Sequence, residues 1–504
     1  MLGESGDSGI YLIQNPLPNA DSGHQPVLDH GLNQEPFDSV NSQPPTPQHM
    51  VRHYFPFKGQ IKNHTKVLLA QVKSVSDCQS LAGAGKLIIE MGLFGGRKKL
   101  NHWMIALDIG TEFVKALIIE VERGEGKVRG VGRARQRLSD MQGGAVTDIH
   151  GVAANCQRAI EEAANLARQL PNQAIVGIAG ELVKGTTTTV KSIRKKPASQ
   201  IALSELQEIV NQVQAEAFRL ARAELAAQTG QEEIDVQLIN AAIVSVIIDG
   251  YKVSNPLSYR GKELAVGVYS SFAPIVQLGA IETIVQELGL ELLGVAAEPY
   301  AVARCLNEES TDFAAIFIDI GGGTTDVAVV RNGGVEGTKM FAIGGRAFTK
   351  RVAAVLGVTF ASAEEEKLAY SRNKLEPEKA NLIRHAFQSD IRVWLSGLQL
   401  TLEEFGSADR LPSRILLCGG GSALPEIHQA LDSKDWTNGL PFARGPDVVF
   451  LKPKDVANLT DETGLLKDAA DVTPLALGNV GLDLIDNSGI LESMMKRAIT
   501  GLKQ

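Results

Sequence analysis

From His102 onward the apolar residues alternate between short strand-like runs and longer runs of helical period, and that alternation organises the chain. Met104-Ile105-Ala106-Leu107 reads as a buried strand, Asp108-Ile109-Gly110-Thr111 as a turn, and Val114 to Val121 as the returning strand of a hairpin. A helix is expected from about Val152 to Leu170. Between Ala174 and Phe272 the texture becomes strand, long helix, then strands. Leu206, Ile209, Val210, Val213, Ala217, Leu220 and Ala221 repeat at helical spacing, with Ser204 and Gln207 as a capping box and Gln214 and Arg219 facing away. A helix over 276–288 and a strand over 292–295 follow, then a second strand-turn-strand unit with strands at 313–319 and 327–331. Helices are predicted at 346–356, 362–371 and 376–405, and Ile415-Leu416-Leu417 is a further buried strand running into glycines. Two strand-turn-strand units far apart in the chain form a degenerate internal repeat.

Composition narrows this only a little. A chain of 504 residues exceeds one ordinary core, so two or more domains are expected. Fifty Lys and Arg against 58 Asp and Glu give a formal charge of −8, which offers no general attraction for nucleic acid or an anionic membrane. Cys78, Cys156, Cys305 and Cys418 form no close pair, which argues for a reducing cytosol rather than a zinc site or disulfide framework. The uncharged stretch Leu264–Ile281 contains Ser270, Ser271, Pro274 and Gln277 and reads as a buried strand and helix start, not a membrane span. Glu4 and Asp7 stand where a secretory signal would be basic, so none is expected. Residues 1–55, rich in Pro, Gly, Asn, Gln and Ser, are expected to be disordered, and 56–100 to be a tether with transient helix.

The chemistry concentrates in three glycine-rich turns. In Asp319-Ile320-Gly321-Gly322-Gly323-Thr324-Thr325-Asp326 the glycines let backbone N–H groups approach phosphate oxygens, while Asp319 can hold Mg²⁺ through water. Asp108-Ile109-Gly110-Thr111 repeats the layout and would be the opposite jaw of one phosphate clamp. Lys115 is either a point cation for phosphate or a solvated lysine on a strand edge. The third turn, Cys418-Gly419-Gly420-Gly421-Ser422-Ala423-Leu424-Pro425, suits close passage of a ribose or base over backbone. Neither a GxGxxG dinucleotide fingerprint nor a GxxxxGK[ST] loop is present.

With these motifs in order, residues 102–487 resemble the actin/DnaK-chaperone/hexokinase superfamily. The resemblance implies an α/β, actin-like (ribonuclease H-like) two-domain fold that closes over ATP and Mg²⁺, with Asp108 and Asp319 as the metal-organising acids. It also implies that Glu298, in Ala297-Glu298-Pro299, orients the attacking water. Gly344-Gly345, Glu364 and Lys367 would be connecting and adenosine-contacting segments. Within the superfamily the chain is most similar to FtsA. Ile178–Gly185 and Ile248–Leu257 resemble the start and a signature of the FtsA-type (SHS2) inserted subdomain. Gly344-Gly345-Arg346-Ala347-Phe348-Thr349 looks more like the sister PilM-type pilus proteins.

The expected organisation is an extension over 1–100, subdomain 1A over 101–173 and 273–312, the insertion over 174–272, domain 2 over 313–487, and an amphipathic helix over 488–504. In that last segment Ile490, Leu491, Met494, Met495, Ala498, Ile499 and Leu502 repeat at helical spacing beside Lys496, Arg497 and Lys503. It is either a membrane-targeting helix, as FtsA proteins carry, or one packed on its own domain. The functional expectation is a cytoplasmic protein with at most slow ATPase activity that self-associates into filaments, recruits FtsZ or another assembly protein, and contacts the membrane peripherally through 490–504. The alternatives are a PilM-like pilus or secretion assembly protein and a small-metabolite kinase of the same fold.

Overall fold

The computed structural model describes residues 10–12, 102–230, 234–306, 312–406, 409–433 and 435–485. The expected tether over 56–100, nearly all of the expected disordered extension, and the C-terminal amphipathic helix lie outside these residues. Strand β1 (Ile10–Leu12) falls within the stretch expected to be disordered.

The first lobe is built on a mixed six-stranded sheet. Its meander is β2 (Trp103–Ile109), β3 (Phe113–Glu122) and β4 (Glu125–Arg135). Asp108 pairs with Lys115 across the β2–β3 hairpin. A small hairpin, β5 (Met141–Gln142) and β6 (Ala145–Val146), leads to helix α1 (Ile149–Ala167). Asp148 caps α1 by accepting the Gly151 N–H. The helix lies directly on β4: a Cβ at Gly132 or Gly130 would run into the carbonyl oxygens of Ala159 or Ala163.

Strand β7 (Gln173–Ile178) returns parallel to β2. Residues 174–178 therefore belong to the first sheet, and the inserted layer begins only after Ala179. That layer consists of β8 (Lys184–Ile193), helix α2 (Leu203–Thr229), β9 (Val236–Ile248), β10 (Tyr251–Lys252) and β11 (Glu263–Pro274). Its sheet runs β10-β9-β11-β8 and buries Val190, Val246, Leu264, Val266 and Val268 beneath Leu206, Ile209, Val210 and Val213 of α2. Two local expectations fail here. Helix α2 starts at Leu203 behind Ala202 with no side-chain cap, so Ser204 and Gln207 form no capping box. Gln214 is buried rather than outward, because α2 lies deep enough on the sheet to cover part of its polar stripe. Strand β1 pairs antiparallel with β8, Leu12 opposite Val190.

Helix α3 (Ile275–Glu287) and β12 (Glu291–Ala297) return the chain to the first sheet, where β12 lies parallel to β7. Helix α4 (Glu298–Ala303) follows without a loop. The second lobe repeats the hairpin with β13 (Ala315–Ile320), β14 (Thr325–Arg331) and β15 (Gly334–Phe341). Helices α5 (Gly345–Leu356), α6 (Phe360–Ser371) and α7 (Pro377–Glu403) cover it, with Trp394 fully buried. Strand β16 (Arg414–Cys418) runs parallel to β13, then helix α8 (Pro425–Asp432), β17 (Asp447–Phe450) and β18 (Leu459–Asp461). Helix α9 (Val472–Ile485) crosses back and packs on the first sheet. Because β15 pairs with β8 through Gly337 and Thr338, the insertion and second lobe share one continuous sheet. Among the described residues no helix is long and apolar enough to cross a membrane.

Candidate functional site

Parallel strands present their carboxyl ends on one side, where ligands collect in α/β folds. The acids sit at such ends in both sheets: Asp108 on β2 and Glu298 after β12 in the first lobe, and Asp319 on β13 in the second. The expected acids are thus brought into one cleft. Asp108, Glu298, Asp319 and Asp326 are all nearly inaccessible to solvent. Burial, reinforced by Asp108, Asp326 and Asp319, pushes the Glu298 carboxyl well above the usual carboxylate range. Burial and the neighbouring Asp319 raise Asp326 to about 8. Asp319 is also raised by burial, although Thr473, which donates to its Oδ2, works against that rise.

Lys115 is no solvated edge lysine. Its Nζ donates to Asp108 Oδ2 and to the carbonyl of Ala470, each at 2.9 Å. Burial disfavours its charge, but Asp108, Asp319 and Asp471 outweigh this and hold the ammonium above the ordinary lysine value. One cation among four acids leaves the cluster short of positive charge. Glu298 Oε1 is buried with no hydrogen-bond partner, and it lies over Gly177, where a Cβ would come within 2.8 Å of it. Among the described residues no three acidic side chains converge as direct metal ligands, so a divalent cation here would be held through its water shell.

The two glycine turns face each other. A Cβ at Gly323 would lie 2.9 Å from Thr111 Oγ1, and one at Gly322 2.8 Å from Glu112 Cβ. Thr324 Oγ1 bonds Asp326 Oδ2 at 3.2 Å. Thr325 points the other way: it donates to the Ile343 carbonyl and accepts from Trp394 Nε1 at 3.0 Å, so it anchors the second-lobe core. Gly344-Gly345 folds back on the turn, with Gly345 N–H bonded to Gly321 O at 2.9 Å. Glu364 and Lys367 lie behind it. Lys367 Nζ reaches Glu364 at 2.8 Å, Thr349 Oγ1 at 2.9 Å and Gly345 O at 3.2 Å.

In the third turn Gly419 takes φ +82°, and a Cβ there would collide with Asp319 Oδ1. Gly421 packs on Ile320, and Ser422 Oγ bonds the Gly419 carbonyl at 2.7 Å, so only Gly420 of this group opens outward. The sequence motifs left out Thr473, Glu112, Tyr370 and Glu426, and gave Arg346 no role. Glu426 lies just past the third turn and bonds Tyr370 Oη while its Oε2 is buried without a partner. Proximity to a glycine motif was the available signal for Glu112, Arg346 and Glu426; nothing local marked Thr473.

The similarity to known proteins follows the same elements. A family model described as Cell division protein FtsA matches residues 316–458, from β13 to the residue before β18. Cell division protein FtsA of Pseudomonas aeruginosa is 28% identical over 271 residues, covering 53% of this chain and 61% of that protein. Its counterpart in Streptococcus pneumoniae is 27% identical over 342 residues, covering 63% and 70%. Over these stretches the chain is similar to FtsA. The match thus spans under two thirds of the length of the first of these proteins. A solved structure described as a PilM-PilN type IV pilus biogenesis complex aligns with TM-score 0.53 at 19% identity, over 75% of this chain and 98% of that one. That likeness shows the fold, and the α/β, actin-like architecture is the one expected from the resemblance carried by the three turns.

Proposed function

We propose that this chain binds ATP·Mg²⁺ in the cleft between its lobes and acts as a nucleotide-governed assembly protein of cell division. The observation that carries the reading is the pair of facing glycine turns with four buried acids and one lysine around them. In this reading the amides of Gly110–Thr111 and Gly321–Thr324 take phosphate, and Asp108 and Asp319 hold the metal through water. Gly344, Gly345, Glu364, Lys367 and Gly419–Ser422 border the adenosine. Bound Mg²⁺ supplies charge neutralisation at the phosphates. Glu298, held high in pKa and free at one oxygen, is placed to accept a hydrogen bond from water and, once ionised beside the cation, a proton. A buried, reluctant base suits slow turnover, with nucleotide chiefly selecting between conformations.

The similarity to FtsA supports filament formation, recruitment of FtsZ or another assembly partner, and residence at the inner face of the cell membrane. Equilibrium binding of ATP with and without Mg²⁺, followed by capture of the FtsZ tail peptide on immobilised protein, tests this. Mg²⁺-dependent ATP binding together with tail capture is expected. ATP binding without tail capture would move the protein out of the division role.

A second reading, a PilM-like pilus assembly protein, is favoured by one feature. A cavity of about 690 Å³ lies between β9 and the first lobe, walled by Leu238, Val244, Leu278, Leu293, Tyr300 and Leu484. Glu282, Arg304 and Asp483 also line it, so its mixed walls suit a peptide with both apolar and charged side chains. Capture of a pilus-protein peptide in place of the FtsZ tail would select this reading.

A further inference from the structure

Glu112 and Arg346 belong to none of the three glycine turns, yet they join the lobes in front of them. Glu112 directly follows the Asp108–Thr111 turn, and Arg346 is the first side chain after Gly344-Gly345 at the start of α5. Arg346 Nε donates to Glu112 Oε2 at 2.7 Å, and its Nη1 donates to the Met141 carbonyl at 3.1 Å. The other oxygen of Glu112 accepts from Arg135 Nε at 2.8 Å. The Arg346 and Glu112 side chains are only 11% and 12% exposed, so salt screens their attraction weakly. The backbone adds to the tie within the second lobe, because Arg346 N–H bonds the Gly322 carbonyl at 2.7 Å. Pulling Arg346 therefore pulls the Gly321–Gly323 turn as well.

This pair holds the two turns in contact. A Cβ at Gly322 would come within 3 Å of Glu112 and one at Gly323 within 3 Å of Thr111, so the two turns touch at these positions. Glu112 Oε2 gives the Arg346 guanidinium one charge-assisted contact, of the kind that a phosphate oxygen also makes. We propose that Glu112–Arg346 is an interdomain latch that keeps the cleft shut in the nucleotide-free molecule, and that the terminal phosphate of an incoming nucleoside triphosphate displaces Glu112 from Arg346. The inference rests on the nucleotide reading above, and it makes Arg346 a phosphate contact and Glu112 the internal competitor.

The test uses the full chain with E112Q and R346Q, read in two ways. Hydrogen exchange without nucleotide reports the latch alone. Amides at 110–113 and 321–324 should exchange at least about tenfold faster in both variants, while those at 316–318 keep wild-type protection and so certify the fold. Association and dissociation of a fluorescent ATP analogue report the competition. E112Q should bind faster and more tightly, whereas R346Q should bind faster but release faster. Unchanged exchange at both turns would overturn the latch, as would slower or unchanged association of the analogue with E112Q when the wild-type chain binds it. Faster exchange in both variants with no analogue bound by any of the three proteins would support the latch and reject the nucleotide site.

Discussion

At the scale of single residues, the acids were legible and their partners were not. Asp108, Asp319 and Asp326 stand beside glycines in sequence, and the fold brings them together with Glu298. The role of Thr325 was not readable, because its neighbours Ile343 and Trp394 arrive from distant elements. Asp326 yields a pH prediction. Its carboxyl moves from an ordinary value of 3.8 to about 8 on folding, so the folded state holds that proton more tightly than the unfolded chain. The stability this contributes is complete below pH 3.8 and is lost as pH rises through about 8. Asp326→Asn should therefore flatten the fall of nucleotide-free stability between pH 4 and 8, read from denaturant midpoints; an unaltered slope would contradict the burial argument. Glu298→Gln should leave ATP affinity intact and slow any hydrolysis by about 10²–10⁴-fold in single-turnover assays. A substitution that lowered affinity and rate together would remove Glu298 from its place beside the water.

Elements were legible wherever their period was strong. The hairpins at Asp108 and Asp319, helix α1 and the long helices of the second lobe were all visible in the apolar pattern. What the pattern could not supply was depth of packing. Gln214 reads as outward on α2 by spacing, but the helix sits low enough on β8 and β11 to bury it. Close approach is sharper still between α1 and β4, where glycines alone permit it. Gly132→Ala should cost about 1–3 kcal/mol, because any Cβ meets the Ala159 carbonyl and the helix must lift. Thermal and denaturant melts check this, and a loss within a few tenths of a kcal/mol would mean the helix shifts freely. The insertion reaches the site through Asn240 on β9. Its Oδ1 accepts the Ala297 N–H at 2.8 Å, one residue before Glu298, and the Ser271 hydroxyl at 3.1 Å. The inserted layer is thereby hydrogen-bonded to the residue that precedes the acid at the start of α4.

At the scale of the whole molecule, two lobes with repeated hairpins meet across a cleft, and the insertion is continuous with the second lobe through β8 and β15. Tyr269 of the insertion stacks on Tyr300 of the first lobe at 4.8 Å and bonds Thr338 of the second lobe at 3.0 Å, so all three parts share one junction. In the function proposed above, this junction is where closure of the cleft would reach the inserted layer. Sequence revealed the repeat because each hairpin carries its own glycine turn. It did not reveal the junction, which depends on residues from three separate stretches. The central claim is that the cleft is an ATP·Mg²⁺ site. The most direct measurement is a titration of ATP against the wild-type chain and Asp319→Ala, each with Mg²⁺ and with EDTA. Mg²⁺-dependent binding by the wild type, weakened about 10–100-fold by the substitution, is the predicted result. Equal affinity in all four titrations, or none in any, would contradict it.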